Sequence, residues 1–252
     1  MKLHGLCFSF ITHLLTKNKK VNKYNTEKNM EYKISINPLV AFSKGTESKK
    51  RRIIRDQKNP SVFKVGWYQT PRACIKKSIS QNGDNDAIIK GLERLKDKVV
   101  EKPRQIQNKT ASMEAMRKYL NIEFPEILKN HNLNIIKKRL VKSTWINGVE
   151  ILVSPDVVFT FDYNGKKYIG GVKIHLSKGD IFDLNESKMV ATILHKHILE
   201  IAPSYNAIPL HETCLSIDVF GQRIVASATD TERVLNEVTE ICNEIKQIWN
   251  VA

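Results

Sequence analysis

Residues 154–175 read SPDVVFTFDYNGKKYIGGVKIH, and this stretch decides the fold. Pro155 removes one ladder donor, so Ser154-Pro155-Asp156 belongs at the start or rim of a strand. Asp156–Tyr163 is rich in β-branched and aromatic residues. It is followed by Asn164-Gly165, a dipeptide suited to a two-residue hairpin turn. The returning strand covers Lys167–Leu176. A turn centred on Asn164-Gly165 sets Asp156 opposite Lys173, and the two-residue period puts Gly171, Lys173 and His175 on one face. A lysine inside a strand of otherwise apolar or small residues either reaches along the chain to solvent or sits in a polar site beside an acid.

Working outward, Asn147-Gly148 is a second hairpin signal, between Trp145-Ile146 and Val149–Val153, so the strands up to Leu176 are expected to form a meander. Asp183 to about Ile201 then reads as a helix, with Met189, Val190, Ile193, Leu194, Ile198 and Leu199 as its apolar stripe. Pro203 stops it. Thr213–Val219 and Arg223–Ala228 read as two more strands around Phe220-Gly221-Gln222. Thr231–Trp249 is an amphipathic helix capped by Asp230 or Thr231. Upstream, Leu133–Val141 is β-rich. Helices are expected from Thr46 through Arg55, from about Arg72 to Ser80, from Asp84 or Asn85 to Val100, from Ser112 to Tyr119 and over Phe124–Leu128, with Pro103 ending the third pattern. Residues 1–29 read as an extension or a disordered arm, 30–105 as a basic helical region and 106–252 as an α/β domain with a mixed central sheet flanked by helices.

The charge is uneven. Of 41 Lys and Arg and 26 Asp and Glu in 252 residues, residues 1–145 hold 32 basic and 12 acidic side chains, a net of +20, whereas the remainder is net −5. A basic front joined to a mildly acidic back points to a polyanion-binding part and a separate chemical or structural part. Lys49, Lys50, Arg51, Arg52 and Arg55 fall within seven residues of one short helix and are the candidate phosphate contacts; the competing reading is a solvated face. Trp67 and Tyr68 are candidate stacking residues, or core residues of the helical region. No apolar run has the length a membrane-spanning helix needs. Four scattered cysteines, without metal-ligand spacing, suggest a reducing, cytoplasmic setting rather than a disulfide scaffold. His195 and His197, two apart on a helix, point in different directions and read as structural.

Pro155-Asp156, Lys173 seventeen residues later, and the order of helix, strands, covering helix and further strands resemble the PD-(D/E)XK nuclease-like superfamily over about residues 106–228. The resemblance implies metal-dependent hydrolysis of phosphodiester bonds. Asp156 would hold Mg²⁺, with Mn²⁺ as substitute, and Lys173 would orient or activate the attacking water, chemistry suited to stabilising a phosphorane. The sequence departs from the pattern where a second acid is expected, because Gly171 stands there. Glu150 is the chosen replacement metal ligand, ahead of Asp162, Glu123 or Glu126. The expected partner is nucleic acid, DNA before RNA, and not a membrane. Two alternatives stand beside the nuclease: a catalytically degenerate nucleic-acid-binding module, for which Gly171 is the direct argument, and a protein-interaction or assembly protein.

Overall fold

The computed structural model describes residues 32–60, 66–137 and 141–252. The extension 1–29, Lys64, and the basic pair Lys138 and Arg139 lie outside the described residues. Tyr32–Ala252 forms one compact unit, and the expected boundary near residue 105 falls inside it.

The chain runs β1 (Tyr32–Ser35), α1 (Ile36–Ser43), α2 (Glu47–Lys58), α3 (Gln69–Ser80), α4 (Asp86–Asp97), α5 (Pro103–Leu120), α6 (Glu126–Lys129) and β2 (Asn134–Ile135). It continues through β3 (Ser143–Ile146), β4 (Val149–Leu152), β5 (Val157–Tyr163), β6 (Lys166–His175), α7 (Leu184–Ile201), β7 (Ile208–Asp218), β8 (Arg223–Ala226) and α8 (Thr231–Trp249). The fold is α/β with mixed sheets flanked by helices. Five strands lie in the order β2-β5-β6-β7-β8, and a separate sheet has the order β1-β4-β3.

Both expected hairpins form. Asn147 and Gly148 have φ of 47° and 75°, and Asn164 and Gly165 have 48° and 71°. These left-handed pairs match the strand twist, which is why Asn-Gly is favoured there. The continuous meander does not form. The β3–β4 hairpin joins β1, with β1 running parallel to β4, while β5–β6 belongs to the larger sheet. The break comes at Val153–Pro155. Ser154 has φ of 39°, and Pro155 cannot donate to a ladder.

β6 and β7 are parallel and joined through α7, a βαβ crossover inside an otherwise antiparallel sheet. Alternation along the strands divides the core. Val157, Phe159, Phe161, Val172, Ile174, Leu215 and Ile217 pack with α3, α4 and α5 on one face. Val158, Ile169 and Cys214 face α7, behind which lie the small sheet, α1, α2 and α8. The parallel ladder is irregular between Ile169 and Gly171. There a Cβ on Gly170 would stand 2.6 Å from the Thr213 carbonyl oxygen, so only glycine admits this close approach.

The other differences are local. Leu133–Val141 gives only the two-residue β2 among its described residues. Tyr32–Ser35 is a strand inside the region read as mainly helical, ahead of the first helix expected there. α4 ends at Asp97, short of the expected Val100, and Pro103 opens α5 as its first residue, a position where the missing amide costs nothing. α8 spans Thr231–Trp249 as expected, and Asp230 accepts from the Arg233 amide at 3.2 Å. α7 carries a full capping box: Asp183 accepts from the Glu186 amide at 2.8 Å, and Glu186 accepts from the Asp183 amide at 2.7 Å.

Candidate functional site

The regular β5–β6 ladder ends at Val157↔Val172, and Asp156 lies just beyond it. The Asp156 amide donates to the Val172 carbonyl at 2.8 Å. Its carboxylate takes over the next ladder place: Oδ2 accepts from the Ile174 amide at 2.8 Å, and Oδ1 accepts from Arg72 Nη1 at 2.7 Å. Arg72 also donates to the Ile174 carbonyl at 3.3 Å. The turn register thus brings Asp156 and Lys173 to the same strand end, but they serve different partners. Arg72 belongs to α3, on the face of Val157, Val172 and Ile174. Lys173 shares the α7 face with Gly171, and its ammonium donates to the Ser154 carbonyl at 3.0 Å.

Glu150 is not beside them. It lies on β4 in the smaller sheet, opposite Lys33 of β1, and the two form an ion pair of 2.8 Å. Burial pushes the Glu150 carboxyl up, but the Lys33 ammonium and the Ser143 hydroxyl outweigh that and hold it below its ordinary value. The sheet change at Ser154-Pro155 is what separates it from Asp156. At Gly171 an added Cβ would meet Ile198 Cδ1 at 3.2 Å and Leu194 Cδ1 at 3.4 Å, so apolar side chains wall the place where a second acid was sought.

This donor set does not fit Mg²⁺. A hard cation of this kind needs several oxygens in near-octahedral array, and both oxygens of Asp156 are engaged. Among the described residues no group of three or more His, Cys, Asp or Glu side chains could hold a metal ion.

The basic helix divides. Lys50 pairs with Glu244 of α8, lies 5.4 Å over the Phe42 ring, and is only 14% exposed. It is a packing residue rather than a phosphate contact. Lys49 is half-buried, with its ammonium 3.7 Å from Asp180. Arg51, Arg52 and Arg55 are exposed. Of the aromatic pair, Tyr68 packs edge-on against Phe220 at 5.6 Å, while Trp67 is 42% exposed.

A second feature was not legible in the sequence. At the carboxyl end of β6, α1, α2 and the loop leading to α7 enclose a cleft of about 740 Å³ lined by Asn37, Lys49, Arg52, Asp56, His175 and Asp180, among others. Next to His175 in the parallel register stands Asp218, which is fully buried. Asp218 accepts from the Phe182 amide at 2.6 Å and from the Gly221 amide at 2.9 Å, pinning the loop. His175 stacks on Phe182, centroids 3.6 Å apart, and its Nε2 donates to the Asp180 carbonyl. Lys44 spans the loop to Asp180 at 3.3 Å and to Glu186 at 2.9 Å.

Burial pushes the His175 imidazole below its ordinary value, against the opposing pull of the Asp180 carbonyl, Asp218 and Asp180. A lowered histidine pKa means the unfolded chain binds the proton more readily, so stability present above about pH 6.5 is lost as pH falls below it. Thermal melts between about pH 7.5 and pH 5 are therefore expected to fall less steeply for His175→Gln than for the native chain. Equal slopes would mean that His175 protonates in the folded state without cost.

The chain matches no family model and no curated protein.

Proposed function

We propose that this chain binds nucleic acid through its phosphates and does not cleave it at Asp156. The observation that carries the reading is the exposed arginine face of α2, Arg51, Arg52 and Arg55, standing beside a polar cleft. The charge imbalance of residues 1–145 supports it. Guanidinium groups suit bidentate phosphate contact, and such contacts give affinity and salt dependence without sequence information. Duplex DNA is the preferred partner and RNA the alternative.

The test is filter binding of a duplex across a salt series. Arg51→Gln/Arg55→Gln is expected to bind more than about tenfold more weakly and to lower the log–log salt slope by about 2, near 0.9 for each phosphate no longer neutralised. Binding that ignores salt would remove the reading.

The nuclease reading retains one supporting observation: Lys173 and Asp156 flank one strand end, with the Lys173 ammonium on Ser154, two residues from Asp156. Nicking of plasmid DNA that needs Mg²⁺ and disappears in Lys173→Ala would favour it. No nicking is expected.

A further inference from the structure

We propose that the cleft at the carboxyl end of β6 is a nucleotide subsite, taking a nucleoside monophosphate with its phosphate on Lys49 and Arg52 and its sugar toward Asn37 and Asp56. The inference deepens the nucleic-acid reading and rests on it for the choice of ligand class.

Position is the first argument. In open parallel α/β sheets ligands are held beyond the carboxyl ends of the strands, where loops leave a crevice, and β6–β7 is the parallel pair of this otherwise antiparallel sheet. β6 is the strand that feeds the crossover helix α7, and His175 is its last residue. Asp218 and the His175–Phe182 stack fix the loop, so the crevice wall is built in advance.

Size is the second. About 740 Å³ lies within the range of small-molecule sites, roughly 300–1,000 Å³. No atom stands within 4 Å of where a Cβ on Gly179 would be, which leaves that side open.

Chemistry is the third. Lys49, Arg52 and Asp56 follow one another at three- and four-residue steps on α2, so one helix face carries two cations followed by a carboxylate, while the neighbouring Gln57 Oε1 already accepts from the Ser35 amide at 2.9 Å. Asp180 is already paired with Lys44 at 3.3 Å, and the Lys49 contact to it is longer, 3.7 Å, leaving Lys49 able to turn to a phosphate. Asn37 Oδ1 is buried and has no hydrogen-bond partner. A buried acceptor without a donor costs stability until one arrives. A phosphate monoester dianion has no donor of its own and inorganic phosphate near neutral pH keeps only its P–OH, which points away from the oxygens held by the cations, whereas a nucleoside offers several hydroxyl and amino groups. The combination therefore selects a nucleotide over a bare anion, and Ala41 and Ile53 give the base an apolar wall.

The test titrates the full chain with AMP, GMP, CMP and UMP, and separately with inorganic phosphate, by calorimetry. At least one nucleotide is expected to bind, with phosphate weaker than that nucleotide. Arg52→Gln should weaken nucleotide binding about tenfold, the effect of removing one charge-assisted hydrogen bond. Asn37→Leu should weaken nucleotide binding while leaving phosphate binding unchanged. Ala41→Trp, which fills the cleft, should abolish both provided its melting point matches the native chain. Competition against a short duplex separates the source: displacement marks the cleft as part of the polymer track, and nucleotide binding without displacement marks a site for the free nucleotide. Absence of binding by every nucleotide, or binding indifferent to both Arg52→Gln and Ala41→Trp, overturns the proposal. Neither result touches the Arg51/Arg55 salt slope, so the two readings fail separately.

Discussion

Asp156→Ala is expected to melt roughly 5–12 °C below the native chain, from a loss of about 2–4 kcal/mol. The carboxylate is 9% exposed and holds the Ile174 amide and the Arg72 guanidinium at once, so its removal leaves a strand-end amide and a half-buried cation without their acceptor. Arg72 is 37% exposed on its side chain, and water recovers part of its loss, which keeps the figure below that of a fully buried pair. Asp156→Asn is expected to recover little, because the amide presents one acceptor and turns a donor toward a second donor. Arg72→Ala should cost less than Asp156→Ala. A double-mutant cycle should show positive coupling between them, since each single change removes the same bond. A metal-ligand role gives the opposite pattern: unchanged or increased melting in Asp156→Ala without added cation, and loss of a Mg²⁺-dependent signal. Urea denaturation of the four proteins of the cycle, with and without Mg²⁺, distinguishes the two.

Local chemistry made the back half of the chain legible. Asn-Gly pairs set both hairpins, an Asp cap and an i, i+4 stripe set α8, and the turn position alone brought Asp156 and Lys173 to one strand end. What could not be read depends on contacts between distant residues. Arg72 and Asp156 are 84 positions apart, and nothing in the spacing around either names the other. Glu150 looked adjacent because β4 precedes β5, but the positive φ at Ser154 and the proline after it move the chain to another sheet. Lys50 looked like its cationic neighbours until α8 supplied Glu244. The cleft at His175 is assembled from α1, α2 and the loop before α7, three segments with no shared pattern. The strand face of Gly171 was legible; what covers it was not, because Leu194 and Ile198 are ordinary stripe residues of a helix that period alone cannot place over one particular glycine.

That covering decides the second large effect. Gly171→Asp, the change that would complete the acid pair of the nuclease-like pattern, is expected to lose more than about 4 kcal/mol, or to fail to fold. The new Cβ itself is tolerable. Its nearest neighbours are Ile198 Cδ1 at 3.2 Å, and Leu194 Cδ1 and the Val157 carbonyl oxygen at 3.4 Å; the last two are ordinary contacts, and the Ile198 methyl can give by a few tenths of an ångström. Gly171→Ala should therefore cost only about 1 kcal/mol. The carboxyl group beyond that Cβ goes between two fully buried aliphatic side chains. A carboxylate there has lost its water, and the ammonium on its own strand face, Lys173, is held by the Ser154 carbonyl, so unless Lys173 turns back to it the new group must either protonate or push α7 away from the sheet. Melting of Gly171→Ala and Gly171→Asp across pH separates the terms. The alanine variant should track the native chain at every pH, and the aspartate variant should close part of the gap as pH falls and its carboxyl takes up a proton. The sign follows from burial: a carboxyl pKa raised in the folded state makes the folded chain the stronger proton binder, so acidification favours it. An aspartate variant that folds as well as alanine and binds Mg²⁺ by calorimetry would instead mean that this face opens to water, and that one acid is all that separates the chain from a metal site.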